Sequence, residues 1–218
     1  MYVLSYMELY NGDCLDILDT LQEKSVDILY TDPPYIPPQH SSTLTKYKKT
    51  LGEMGILESF YKNFIKQIDR VLKDDGILII YCNSDSYPMF YIHLYPYVKK
   101  MRCFIWDKIS CSLGYTFRHQ HEMIICGERN SMKYIKCGTG DIFKYHAVKA
   151  NTKTHPAEKP IDLHEHILKN IVNNDSVVLD TFMGTGSIGV ACKKLECNYI
   201  GIELEHTYFK IAEERINT

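Results

Sequence analysis

Hydrophobic and polar positions along this chain follow two periods. Short apolar runs rich in β-branched and aromatic residues predict strands at Met7–Tyr10, Val26–Tyr30, Ile77–Cys82, Cys103–Trp106, Met123–Cys126, Val177–Leu179 and Tyr199–Ile202. Most of the stretches between them have a helical period. The clearest is Leu57, Phe60, Tyr61, Phe64, Ile65, Ile68, Val71 and Leu72, one apolar stripe that Asp74-Asp75-Gly76 should stop. Further helices are expected over Asp13–Leu21, Ile161–Val172, Ser187–Leu195 and His206–Ile216. Strands alternating with helices predict an α/β fold, a doubly wound and mostly parallel seven-stranded sheet. Between Cys103 and Cys126 two strands are joined without a helix, which predicts an antiparallel hairpin at one edge. Gly127–Thr154 has weak periodicity and many lysines, and reads as a short insertion in a single domain covering 1–218.

Composition narrows the class without naming a function. At 218 residues, 45% hydrophobic and 24% charged, the chain is long enough for one well-filled core. No apolar run approaches the roughly 18 residues of a membrane helix. The N-terminus MYVLSYMELY lacks a basic region and a cleavage site, so a cytoplasmic protein is expected. None of the eight cysteines forms a C-x-x-C pair, and the pairs His119/His121 and His164/His166 lack partners at zinc spacing; buried thiols and no metal site are expected. The net charge is −2, but Lys99–Lys159 carries twelve Lys/Arg against five acids, leaving that stretch at +7 and the rest at −9. A basic stretch in an acidic chain has the form of a polyanion footprint, and equally of a solvated face.

In an open parallel sheet, ligands bind outside the carboxyl ends of the strands, so the residues that follow strands carry the chemistry. After Val177–Leu179 comes Asp180-Thr181-Phe182-Met183-Gly184-Thr185-Gly186-Ser187-Ile188-Gly189, a glycine loop opening a helix. Such a loop lets the backbone approach a ligand and offers it free N–H groups. Gly184, Gly186 and Gly189 also satisfy the dinucleotide pattern, with Glu203 spaced to grip a ribose. Two details favour S-adenosylmethionine: only one strand follows, leaving no second mononucleotide half, and the Asp180 carboxylate suits a cationic amino group better than a pyrophosphate. After Val26–Tyr30 comes Asp32-Pro33-Pro34-Tyr35. The exocyclic amine of a nucleobase is a poor nucleophile because its lone pair is delocalised, and two acceptors on its N–H bonds can free that pair. Asp32 supplies one and the Pro33 carbonyl the other, while Tyr35 can stack on a flipped base. After Met7–Tyr10, Asp13 can accept from an adenine amine or cap the helix that follows.

Taken together these residues resemble the β-group DNA amino-methyltransferases, bacterial and phage enzymes that methylate adenine N6 or cytosine N4. Asp32-Pro33-Pro34-Tyr35 matches the catalytic tetrapeptide of that family, and Asp180–Ser187 matches its cofactor loop. The order, catalytic motif first and cofactor loop last, is the circular permutation that marks the group. Gly12-Asp13-Cys14-Leu15, the run Phe104–Lys108 with Phe117–Glu122, and His155-Pro156-Ala157-Glu158-Lys159-Pro160 match further family segments, so the resemblance covers nearly the whole chain.

The resemblance implies a Rossmann-like, permuted methyltransferase fold. It also implies S-adenosylmethionine as cofactor, DNA (duplex or single-stranded) as partner, and a homodimer, since self-pairing is common in the group. Asp32, Pro33, Pro34 and Tyr35 would be catalytic. Asp13, Cys14, Asp180, Phe182, Gly184, Gly186, Ser187, Glu203 and Lys159 would hold the cofactor. Lys108, Arg118, Lys133, Lys136, Lys144 and Lys149 would meet the nucleic acid. Asp at the first tetrapeptide position points to adenine N6, and no Pro-Cys dipeptide exists for a covalent cytosine C5 mechanism. The stretch 127–154 is shorter than the target-recognition region usual in the family, which implies a short or relaxed target, a single-stranded substrate, or help from a second subunit. The rival readings are cytosine N4, RNA base or protein-glutamine methylation, an NAD-dependent oxidoreductase, and a non-catalytic nucleic-acid-binding subunit.

Overall fold

The computed structural model describes residues 5–34, 54–111, 116–130, 138–149 and 157–218. Eight strands form one sheet in the order β1-β8-β7-β2-β3-β5-β4-β6. They are β1 (Met7–Asn11), β2 (Val26–Thr31), β3 (Leu72–Cys82), β4 (Lys100–Asp107), β5 (His121–Glu128), β6 (Ile142–Lys144), β7 (Val177–Asp180) and β8 (Asn198–Glu203). From β1 to β3 every pairing is parallel; β5 runs antiparallel between β3 and β4, and β6 pairs parallel with β4.

Two cores explain why the central strands read as unbroken apolar runs. On β2, β3 and β7, Ile28, Tyr30, Ile77, Ile79, Tyr81 and Val178 face one helical layer, and Leu29, Leu78, Ile80, Cys82 and Leu179 face the other. The second layer holds α1 (Cys14–Thr20), α2 (Met54–Val71) and α3 (Tyr87–Leu94); the first holds α4 (Ile161–Leu168), α5 (Ser187–Lys194) and α6 (His206–Asn217). A strand covered on both faces has no polar side to show. The stripe of α2 is the clearest case, with Tyr61, Phe64, Ile65, Ile68 and Val71 all buried.

Two departures from the periodicity have physical reasons. Asp74-Asp75-Gly76 does not form a loop after α2, because β3 starts at once at Leu72 and carries these residues as an irregularity, its register jumping from Val26↔Leu72 to Ile28↔Ile77. Arg129 makes that junction possible: its Nη1 donates to the carbonyls of Asp69 (2.7 Å) and Leu72 (3.1 Å), satisfying helix-end acceptors that a loop would otherwise leave to water. The eighth strand, β6, lies in the stretch read as an insertion. It has three residues and buries one, Phe143, so it shows no period, yet it covers the outer edge of the β4–β5 hairpin. Among the described residues no helix is long and apolar enough to cross a membrane.

Candidate active site

The carboxyl ends of β1, β8, β7, β2, β3, β4 and β6 share one edge of the sheet, and β5 begins there, with His121 opposite Asp107. That edge falls into two halves at the β7–β2 boundary. Ahead of it lie Asn11–Asp13, Glu203 and the loop 181–186; beyond it lie Thr31–Pro34, Glu122, Lys108 and Lys144. The boundary is bonded side chain to side chain. Thr31 Oγ1 donates to Asp180 Oδ1 at 3.0 Å and lies 3.0 Å from Thr181 Oγ1. The tetrapeptide strand and the glycine-loop strand are therefore neighbours, although about 150 residues separate them in sequence.

Asp180 is the hinge of that contact. Its Oδ1 also accepts from the Phe182 N–H (3.2 Å), and its Oδ2 from Tyr199 Oη (3.3 Å). Burial pushes its carboxyl up from 3.8 to about 7, despite the hydrogen bonds from Phe182, Thr31 and Tyr199 that favour the charge. In the native chain Asp180 thus keeps a proton that the unfolded chain releases near its ordinary value. The resulting stability is complete below pH about 4 and is lost as the pH rises through about 7. Asp180→Asn should remove that decline. Thermal melts of both proteins across this range check it, and an unchanged pH slope in the variant would refute it.

Asp32 follows directly on β2 and stands in an ionic chain. Lys159 Nζ bonds Asp32 Oδ2 and lies 3.3 Å from Glu122 Oε2, while Lys108 Nζ is 2.6 Å from Glu122 Oε1. Lys159 also sits 4.9 Å above the ring of Tyr81, which is floored by a buried cluster: Tyr30 and Tyr81 hydroxyls 3.2 Å apart, and His164 Nδ1 2.9 Å from Tyr30 Oη. Burial lowers His164 to about 3, so this cluster stays neutral. Two carboxylates thus share one buried ammonium. Burial pushes Asp32 up against the pull of Lys159, with Glu122 adding to the rise. Burial also opposes the charge on Glu122, but Lys159 and Lys108 outweigh it and hold that carboxyl below its usual range. With Oδ2 occupied, Asp32 Oδ1 is buried and has no hydrogen-bond partner among the described residues. Pro33 is buried beside it, Pro34 is exposed and its carbonyl accepts from Tyr61 Oη, and Tyr35 lies outside the described residues.

The other half of the edge is held by the glycine loop. Gly184 and Gly186 adopt positive φ (52° and 80°), and Gly186 caps α5 in the left-handed region. Glu203 Oε2 accepts from the Gly184 N–H at 2.8 Å, so this carboxylate fixes the loop as well as facing the edge. Phe182 leans on the rings of Phe64 (5.7 Å) and Phe60 (6.3 Å), and Ser187 is buried. Asp13 caps α1, its carboxylate accepting from the Leu15 N–H at 2.8 Å, and Cys14 is buried, its thiol pushed up to about 12 by desolvation. Lys159, grouped with the cofactor residues by resemblance, is placed on the Asp32 half. Lys108, grouped with the nucleic-acid residues, is tied to Glu122. Arg118, Lys144 and Lys149 are exposed; Lys133 and Lys136 lie outside the described residues. Sequence reading missed Thr31 and Glu122 as site residues. For Glu122 the only signal was its place at the end of the hairpin segment.

Comparison with known proteins matches this geometry. A DNA methylase family model of the N6/N4 type matches residues 138–214. The type II methyltransferase M2.MboI of Moraxella bovis is 27% identical over 236 residues, covering 95% of this chain and 86% of that protein. M.HinfI of Haemophilus influenzae is 27% identical over 250 residues, covering 94% and 67%. The chain is thus similar to N6/N4-type DNA methylases over residues 138–214 and to type II DNA methyltransferases over nearly its whole length. The fold is shared with solved structures of methyltransferases. M1.HpyAVI, in a complex with S-adenosylmethionine, superimposes with a TM-score of 0.74 at 22% identity, covering 97% of this chain and all (100%) of that one. The PvuII cytosine-N4-specific methyltransferase superimposes at 0.73 with 17% identity, covering 98% of this chain and 87% of its own.

Proposed function

We propose that the methyltransferase moves a methyl group from S-adenosylmethionine to adenine N6 of DNA, with Asp32 and the Pro33 carbonyl as the acceptors that activate the amine. The observation that carries this reading is Asp32 Oδ1, a buried acceptor without a partner among the described residues, directly after the strand bonded through Thr31 to the glycine-loop strand. A buried carboxylate oxygen left without a hydrogen bond is costly, and a donor on a ligand removes the cost. The glycine loop fits the cofactor: Gly184 and Gly186 open the backbone at the head of α5, one strand away from Asp32.

When bound, the cofactor supplies an electrophilic sulfonium methyl. This chain's own groups then make the amine attack. Lys159 holds Asp32 Oδ2 and so aims Oδ1 at one N–H of the amine. The Pro33 carbonyl takes the second, drawing the nitrogen toward tetrahedral geometry. As the nitrogen gains positive charge, the two fixed acceptors stabilise it without having to reorganise. Aspartate at the head of the tetrapeptide favours adenine N6 over cytosine N4 by resemblance.

Incubation with labelled S-adenosylmethionine and DNA, followed by digestion to nucleosides, tests the reading. Label in N6-methyladenine is the expected result; label in N4-methylcytosine would correct the base, and transfer only to RNA would correct the substrate. Binding of NAD in place of S-adenosylmethionine would overturn the reading altogether. On the target half, the exposed Arg118 and Lys144 lie toward the same edge as Glu122. Replacing both by Ala should weaken DNA binding evenly across sequences and reduce the slope of log K against log salt by roughly 1 per contact. An unchanged slope would remove them from the interface.

A further inference from the structure

The last turn of α6 carries Arg215, which reaches both halves of the site. Its Nη1 donates to the Thr185 carbonyl at 2.9 Å and lies 2.8 Å from Thr185 Oγ1; its Nη2 lies 2.9 Å from Glu158 Oε1. Thr185 sits between the two positive-φ glycines of the loop and is buried. Glu158, its side chain 8% exposed, immediately precedes Lys159, whose ammonium bonds Asp32. One rigid, planar cation thus spans from the glycine loop to the segment that aims the tetrapeptide carboxylate.

We propose that Arg215 is a positioning residue that couples the glycine loop to Asp32 through Glu158 and Lys159. The proposal rests on the methyl-transfer reading above and extends it to how the two halves keep their spacing. Helix α6 does not need Arg215 in order to dock: Phe209, Ala212 and Ile216 already bury its apolar face in the core. The ion pair is largely buried, its side chains 25% and 8% exposed, so breaking it also costs stability; what the fork adds beyond that is the separation it sets. In a direct transfer that separation is the distance the methyl must cross, and an error of about 1 Å there costs on the order of 10²-fold in rate.

The experiment uses the full chain with labelled S-adenosylmethionine and DNA, comparing Arg215→Met, Arg215→Lys, Glu158→Gln, Lys159→Met and the pair Arg215→Met/Lys159→Met. Cofactor Kd, kcat and thermal melts are read for each. Arg215→Met should lower kcat by about tenfold and weaken cofactor binding, because both arms of the fork are lost. Glu158→Gln should lower kcat while cofactor Kd holds, because the Thr185 arm remains, and Arg215→Lys should recover only part of the loss. The double variant should be no slower than Lys159→Met alone, as expected of residues acting through one another.

Losses in kcat that multiply in the double variant would overturn the proposal. So would a Glu158→Gln enzyme with normal kcat and only a lower melting temperature. A fully active Lys159→Met enzyme would also overturn it, since nothing would remain for the coupling to act through, yet the methyl-transfer reading would stand. A wild-type chain that transfers no methyl would sink that reading, and this proposal with it.

Discussion

Asp32→Ala should lower kcat by about 10²–10³ and leave cofactor binding unchanged. The expectation follows from where its two oxygens lie. Oδ2 is held by Lys159 and Oδ1 is buried without a partner among the described residues, so the side chain is already aimed and no other described group replaces it. The fold should survive, because Lys159 keeps Glu122 at 3.3 Å and is not left as an unpaired buried charge. Asp32→Asn should recover little, since its amide has one acceptor for two donors: if the carbonyl faces Lys159, the target amine meets an NH2 group instead. Single-turnover transfer alongside calorimetric titration of S-adenosylmethionine separates the two effects; a variant with wild-type kcat would falsify the role given to Asp32. Since burial and Glu122 raise the Asp32 carboxyl, the wild-type rate should begin to fall on the acid side at a pH above the ordinary aspartate range.

The second large effect concerns stability. Gly189→Val should cost about 3 kcal/mol and lower the melting temperature by roughly 6–12 °C. A Cβ at this position would lie 2.4 Å from Ile216 Cδ1 and 2.8 Å from Tyr199 Cε1, closer than packed carbons allow. Both neighbours are buried, so neither can swing into solvent. The third glycine of the G-x-G-x-x-G pattern therefore serves helix packing, bringing α5 against α6 and β8. A melting temperature within a degree or so of wild type would show that the α5–α6 contact yields more easily than these distances imply.

The chemistry legible in the sequence was local chemistry. Asp32-Pro33-Pro34 and Asp180–Ser187 each compress a function into a few consecutive residues following an apolar run, so motif and strand end could be read together. Three things could not be read that way. The strand β6 buries a single residue and has no period to detect. The irregular start of β3 depends on Arg129, which arrives from beyond β5 to satisfy the end of α2. Glu122 reaches Lys159 only because the antiparallel register sets it opposite Trp106, one residue in from His121 and Asp107 at the sheet edge. The roles expected of Lys159 and Lys108 rested on motif position and sign of charge, and neither says which carboxylate a lysine will find.

By itself the sequence determined a two-sided parallel sheet, through apolar runs that only a doubly covered strand can bury, and the residue types available at its strand ends. Only the tertiary structure decided which of those ends meet. The order β7-β2 brings Thr31 to Asp180 across 149 residues of sequence, and the hairpin and α6 deliver Glu122 and Arg215, for which the sequence named no site role. The physical reason is one of range. Propensity and periodicity act over a few residues, whereas the partner of a buried charge is chosen by which distant backbone can close the core around it.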